Sequence, residues 1–164
     1  MKKFLAALLS LVLVCSFAAM AEGSDAIEEF VLEPSYDYVD VEIADGLHVL
    51  VPADLEEVEG SDPTAYYFGN DAYTLKIQII TGLTFQEIAQ QYTDAYDAGE
   101  LSDIDAVNIN GTNYITSVNA DGSQSSLCCA LGTDAVIGFT FIGDTSEMDG
   151  TEMQKEIAGS LYAD

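Results

Sequence analysis

Residues 107–143, "VNINGTNYITSVNADGSQSSLCCALGTDAVIGFTFIG", hold three turn signals among apolar-rich runs. Asn110-Gly111 and Asp121-Gly122 are dipeptides that accept the backbone angles of tight hairpins, and Gly132-Thr133-Asp134 marks a third turn. The runs "DAVNI", "TNYITSV", "SQSSLCCAL" and "AVIGFTFI" are thus joined only by short loops. Four strands connected in this way form an antiparallel meander. In the third run, alternation sends Ser126, Cys128 and Ala130 to one face and Leu127, Cys129 and Leu131 to the other. Both sets are small or apolar, so the expectation is a sheet covered on both sides.

Upstream of the meander the period changes. In "LTFQEIAQQYTDAYDAG" (83–99), Phe85, Ile88, Ala89, Tyr92 and Tyr96 follow helical spacing. Thr84 and Glu87 form a capping-box pair at its start, and Gly99 is placed to end it. Further upstream, "TAYYFGNDAYTLKIQIITG" (64–82) reads as a hairpin around Gly69-Asn70-Asp71. Tyr73, Leu75, Ile77 and Ile79 share one face, with Lys76 and Gln78 on the other. Val39, Val41 and Ile43 alternate with Asp40 and Glu42, and "LHVLVP" follows the "ADG" turn at 44–46 as a partner strand. At the other end, Met153, Ile157 and Leu161 recur every four residues, which predicts a second helix weakened by Gly159. The order is four strands, helix, four strands, helix. That order predicts an α+β fold: a mostly antiparallel sheet of about six to eight strands with helices packed on its faces.

The pattern resembles the PsbP-like fold family, which includes an extrinsic protein of photosystem II, a Ran-binding nuclear import factor and secreted bacterial relatives. The resemblance rests on "LHVLVPADLEEV" (47–58) with the strand hairpin after it, "LTFQEIAQQY" (83–92), the meander, and a terminal helix ending "IAGSLY" (157–162). It covers residues 38–164 and is one of pattern, without a chemical signature. It implies an antiparallel sheet sandwiched between helices and a non-catalytic binding or assembly role. No functional residue carries over: the plant protein's metal sites have no matching motif here, and the import factor's partner is absent from bacteria.

The first 21 residues are read as a secretory signal, not as part of the fold. Lys2 and Lys3 precede an apolar run, "FLAALLSLVLVCSFAA", and Ala19-Met20-Ala21 offers small residues where a signal peptidase cuts. The run is about 16 residues, short of the roughly 20 needed to span a bilayer. Lipoprotein processing at Cys15 is disfavoured, because Val14 stands where that signal wants Gly, Ala or Ser. Residues 22–36, "EGSDAIEEFVLEPSY", lack a period and contain Pro34, and are read as an acidic flexible lead. Residues 37–164 then form a single domain.

Charge excludes several partners. The chain has four lysines, no arginine and 29 acidic residues, a net −25. Cleavage after Ala21 would leave Lys76 and Lys155 against all 29 acids, a formal −27. Nucleic acid needs cationic side chains to displace counterions, and an anionic membrane surface would repel this chain. The acid instead serves solubility in an extracytoplasmic setting, with weak, non-specific binding of divalent cations.

The residues that could carry chemistry are few. Cys128 and Cys129 cannot pair readily, since adjacent Cα atoms lie about 3.8 Å apart, below the disulfide range. Nothing supplies the base or the electropositive surroundings that a nucleophilic thiol needs. They are read as packing. His48, the one histidine, is read as a strand residue with a hydrogen-bonded ring. In "GDTSEMDGTE" (143–152), a calcium loop fails because Met148 takes the fifth position and Gly150 falls one place late. Asp144, Asp149 and Glu152 remain weak metal candidates. The aromatic hairpin offers Tyr66, Tyr67 and Tyr73 as a partner surface, since tyrosine joins apolar area to a polar tip. No catalytic or cofactor-binding residue is expected. The expected role is that of a secreted or cell-surface-associated bacterial binding or accessory module for a protein or small molecule. The alternative is a small extracytoplasmic hydrolase working through carboxylates alone.

Overall fold

The meander forms as expected because its turns can hold the required backbone. Asn110 and Gly111 take φ of 50° and 85°, the paired positive angles of a tight hairpin. In the computed structural model, which describes residues 27–44, 46–62, 64–143 and 150–163, this turn joins β7 (Leu101–Ile109) to β8 (Thr112–Asn119). Strands β9 (Gln124–Ala130) and β10 (Ala135–Gly143) follow, each antiparallel to its neighbour.

Among the described residues, six strands precede the meander. These are β1 (Glu28–Phe30), β2 (Tyr38–Ala44), β3 (Leu47–Pro52), β4 (Glu56–Glu57), β5 (Ala65–Gly69) and β6 (Tyr73–Thr81). An eight-stranded sheet has the order β1-β7-β8-β9-β10-β6-β5-β4, with all pairings antiparallel except the parallel one between β1 and β7. Strands β2 and β3 leave it to form a separate three-stranded sheet with β11 (Tyr162–Ala163), in the order β11-β3-β2. The fold is therefore α/β mixed and sheet-dominated, with two sheets where the sequence suggested one. The two-residue strands β4 and β11 carry too little pattern to be read in advance.

Two helices complete the chain. Helix α1 (Phe85–Asp97) begins with the expected capping box: Thr84 Oγ accepts from the Glu87 amide, and Glu87 Oε2 accepts from the Thr84 amide at 2.8 Å. Its buried face, Phe85, Ile88 and Ala89, packs with Ile115, Cys128 and Val136. Helix α2 (Gly150–Gly159) buries Ile157 and Ala158 in the main core with Ile43, Val49, Val51, Leu75, Phe139 and Cys129. The two clusters lie on opposite faces of the large sheet, since adjacent β9 residues divide between them. Leu161, expected in this helix, falls just after it.

One expectation is corrected. Within residues 22–36 the described part is docked, not a free tether. Glu28, Glu29 and Phe30 pair with Val107, Asn108 and Ile109 of β7. The Leu32 amide donates to Asn110 Oδ1 at 3.0 Å, and Asn110 Nδ2 donates back to the Leu32 carbonyl at 3.2 Å. Acidic composition predicted solvation of this segment; long-range contacts override it. The signal reading over 1–21 and residues 22–26 lie outside the described residues.

Candidate functional site

Burial decides the chemistry of the two adjacent thiols. Cys129 is fully buried in the main core and Cys128 is 2% exposed in the α1 cluster. Both are free. Burial pushes each thiol up to about 12, which leaves no thiolate at neutral pH. Tyr114, beside Cys129, donates its hydroxyl to the Ala158 carbonyl at 2.7 Å and so ties β8 to α2.

The three tyrosines do not form one surface. Tyr66 and Tyr73 turn toward the main core, where Tyr73 packs at 5.6 Å against Phe141. Tyr67 faces the other way, opposite Lys76, whose ammonium lies 6.0 Å from its ring centre. Glu152 is exposed in the first turn of α2. Asp144 and Asp149 lie outside the described residues. Among the described residues, no three of His, Cys, Asp and Glu gather as a metal site, and no helix is long and apolar enough to cross a membrane. His48 sits on the three-stranded sheet, its Nδ1 3.3 Å from Asp40 Oδ1 and its ring stacked on Tyr162 at 5.0 Å. The Tyr162 hydroxyl donates to Asp40 Oδ2 at 2.8 Å.

A concave feature lies elsewhere. Tyr36, Asp37, Pro52, Ala53, Asp54 and Met153 line an open pocket of about 480 Å³, within the size range of small-ligand sites. Three separate segments build it, and each is pinned. The carboxylate of Glu156, on α2, accepts from the Ser35 amide at 3.0 Å, the Ser35 hydroxyl at 2.7 Å and the Tyr38 hydroxyl at 2.7 Å. These bonds bracket Tyr36 and Asp37. The Ala53 amide donates to the Asp37 carbonyl at 2.9 Å. Asn70 Nδ2 donates to Asp54 Oδ2 at 3.1 Å, and the Tyr73 hydroxyl reaches Met153 Sδ at 3.3 Å. Tyr38 stands edge-on behind Tyr36, with ring centres 6.1 Å apart.

The electrostatics follow from this clasp. Burial alone would raise Glu156, but the hydrogen bonds from Ser35 and Tyr38 outweigh it and hold its carboxyl below the ordinary glutamate value. Burial, reinforced by the same clasp, drives the Tyr38 hydroxyl far above its usual value. Asp62, Glu87 and Asp121 are also held low, each chiefly by bonds from a neighbouring hydroxyl or amide. Among the described residues, these four displaced carboxyls move opposite to the direction that arms a general acid.

The architecture has a match among solved structures. The solution structure of cyanobacterial PsbP (CyanoP) from Synechocystis sp. PCC 6803 superposes with a TM-score of 0.51 at 15% identity, over 88% of this chain and 97% of that one. The chain has a PsbP-like fold. At that identity the likeness is one of architecture; the pocket itself is lined by Met153 of α2, by the segment before β2 and by the end of β3 with the two residues after it. A crystal structure from Bacteroides thetaiotaomicron VPI-5482 aligns at 16% identity and a TM-score of 0.45, over 73% of this chain and 45% of that one; at that score no argument rests on it. The sequence matches no protein-family model and no curated protein.

Sequence reasoning did not find the pocket. Its one local signal was the aromatic pair in "PSYDY" (34–38), unusual in a segment otherwise rich in acid.

Proposed function

We propose that this chain is a non-catalytic binding or accessory module working outside the cytoplasm, with the sheets and helices stacked as a PsbP-like sandwich. The observation that carries the reading is the pocket of Tyr36, Asp37, Asp54 and Met153. It is open, its edges are held by structural hydrogen bonds, and it has no buried thiol or histidine among its lining residues. The carboxyls that the fold displaces among the described residues, Glu156 beside the pocket included, are lowered, which suits ionised structural groups better than proton donors. Export is part of the proposal and rests on the charged start, apolar run and Ala-Met-Ala end of residues 1–21.

The competing hydrolase reading would recruit Asp37 and Asp54. The test is turnover: the protein lacking residues 1–21, assayed between pH 4 and 7 against glycoside, ester, peptide and phosphoester substrates. The binding reading expects no product above background. Turnover that disappears in Asp37→Asn or Asp54→Asn would replace it with the hydrolase.

A further inference from the structure

The pocket's lining restricts what it can hold. Pro52, Ala53 and Met153 contribute apolar surface, and Tyr36 contributes an aromatic ring. Asp37 and Asp54 add two carboxylates. Anions are excluded by those carboxylates and by a chain carrying 29 acids against four lysines. A neutral apolar ligand would fill the floor but leave the acidic lining unused. A bare metal ion would find neither a third ligand nor a use for the ring and thioether.

A compact organic cation satisfies every wall. Its charge answers the carboxylates, its carbon stem covers Pro52 and Met153, and its polarised C–H or N–H groups face the Tyr36 ring. The ring and thioether are pre-set: Tyr38 stands edge-on to Tyr36, and the Tyr73 hydroxyl fixes the Met153 sulfur. A preformed wall lowers the ordering cost of binding.

We infer that this pocket takes an alkylammonium group, as a free amine or as the lysine side chain of a peptide. The inference rests on the binding-module reading and names the ligand class for its site. Binding is non-covalent, and no bond is made or broken.

The experiment is a titration of the protein lacking residues 1–21, followed by amide NMR at constant ionic strength. The probes are n-butylammonium, choline, the tripeptide acetyl-Ala-Lys-Ala-amide, and 1-butanol as the neutral counterpart. Saturable shifts are expected at Tyr36, Asp37, Asp54 and Met153 with the cations, with 1-butanol weaker by about tenfold or more. Tighter binding of the tripeptide than of n-butylammonium identifies a peptide as the source; equal or weaker binding identifies a free amine. Tyr36→Leu and Asp37→Asn should each weaken n-butylammonium by about fivefold. Asp97→Asn, the same charge change at the exposed end of α1, should leave it unchanged. The inference is overturned if 1-butanol binds as well as the cations, if the shifts spread over the acidic surface without saturating, or if Asp97→Asn weakens binding as much as Asp37→Asn. Those results leave the turnover test untouched, so the two readings fail separately.

Discussion

Lys155 Nζ lies 3.6 Å from the centre of the Phe30 ring. This contact joins α2 to β1, the strand that residue pattern alone did not reveal. Among the described residues neither Lys76 nor Lys155 has a carboxylate within ion-pair distance, and each lies over an aromatic ring instead. Lys155→Met keeps the stem and removes the charge. It should cost about 0.5–2 kcal/mol in urea unfolding and speed hydrogen exchange at the Phe30 and Asn110 amides. If exchange there is unchanged, β1 is held by its hydrogen bonds alone.

The Glu156 clasp should be sensitive to acid. Its folded carboxyl titrates below the ordinary value of 4.5, so folding favours the ionised form. Its stabilising contribution is complete above that ordinary value and disappears as pH falls through the lower folded value. Glu156→Gln should therefore destabilise by about 1–3 kcal/mol at pH 7. The gap between variant and parent should narrow as the pH falls below the ordinary glutamate value, because the parent's carboxyl then loses its charge. A gap that keeps its size from neutral pH down into acid would show that shape, not charge, holds Ser35 and Tyr38.

Gly159 should resist replacement even though alanine is the better helix former. A Cβ there would stand 2.7 Å from Ile109 Cγ2 and 3.0 Å from Asn110 Nδ2, and the Gly159 carbonyl also accepts from that amide at 3.2 Å. Gly159→Ala gains about 1 kcal/mol of helix propensity and loses more by pushing α2 off β7, with overpacking costing about 1–3 kcal/mol. A higher melting temperature for this variant would contradict the close approach.

The adjacent cysteines should differ on substitution by serine. Cys128 sits among Ile115, Val136 and Ala89, so Cys128→Ser should cost about 1–3 kcal/mol for an ill-served hydroxyl. Cys129→Ser should cost less, because the Tyr114 hydroxyl is within reach of that position. A thiol reagent should label neither residue quickly until denaturant is added. Fast labelling of the folded protein would reopen redox chemistry.

Salt should stabilise the fold, divalent cations more than sodium at equal ionic strength. A net −25 over 164 residues makes the compact state self-repelling, and screening relieves it. Melting temperatures in sodium, magnesium and calcium chloride measure this; indifference to all three would remove the idea.

The legible parts of the fold were those specified locally. The meander could be read because Asn110-Gly111 can hold two positive φ angles, and α1 because Thr84 and Glu87 cap each other. The two-sided burial of the large sheet was visible in the alternation around Cys128 and Cys129. The illegible parts depend on residues far apart in the chain. Strand β1 is three residues long and held by Lys155 and Asn110; the pocket joins positions 36–37, 52–54 and 153, the first tied to α2 by Glu156 and to the second by the Ala53 amide. The separation of β2 and β3 into their own sheet has no local cause either, since each alternates as a strand of a large sheet would.

The placement of β1 bears on how copies of the chain behave toward one another. It caps only Val107–Ile109 of β7. The rest of that border displays Ser102, Asp103 and Asp105 to solvent. The opposite border is β4, two exposed glutamates, and the small sheet ends on one side in β2 with exposed Asp40 and Glu42 and on the other in the two-residue β11. Each border is thus short or negatively charged, which discourages strand-to-strand addition between molecules at neutral pH. Acid removes that charge while leaving the backbone donors and acceptors in place, so fibrous or amorphous association should begin at low pH, from the sheet borders inward.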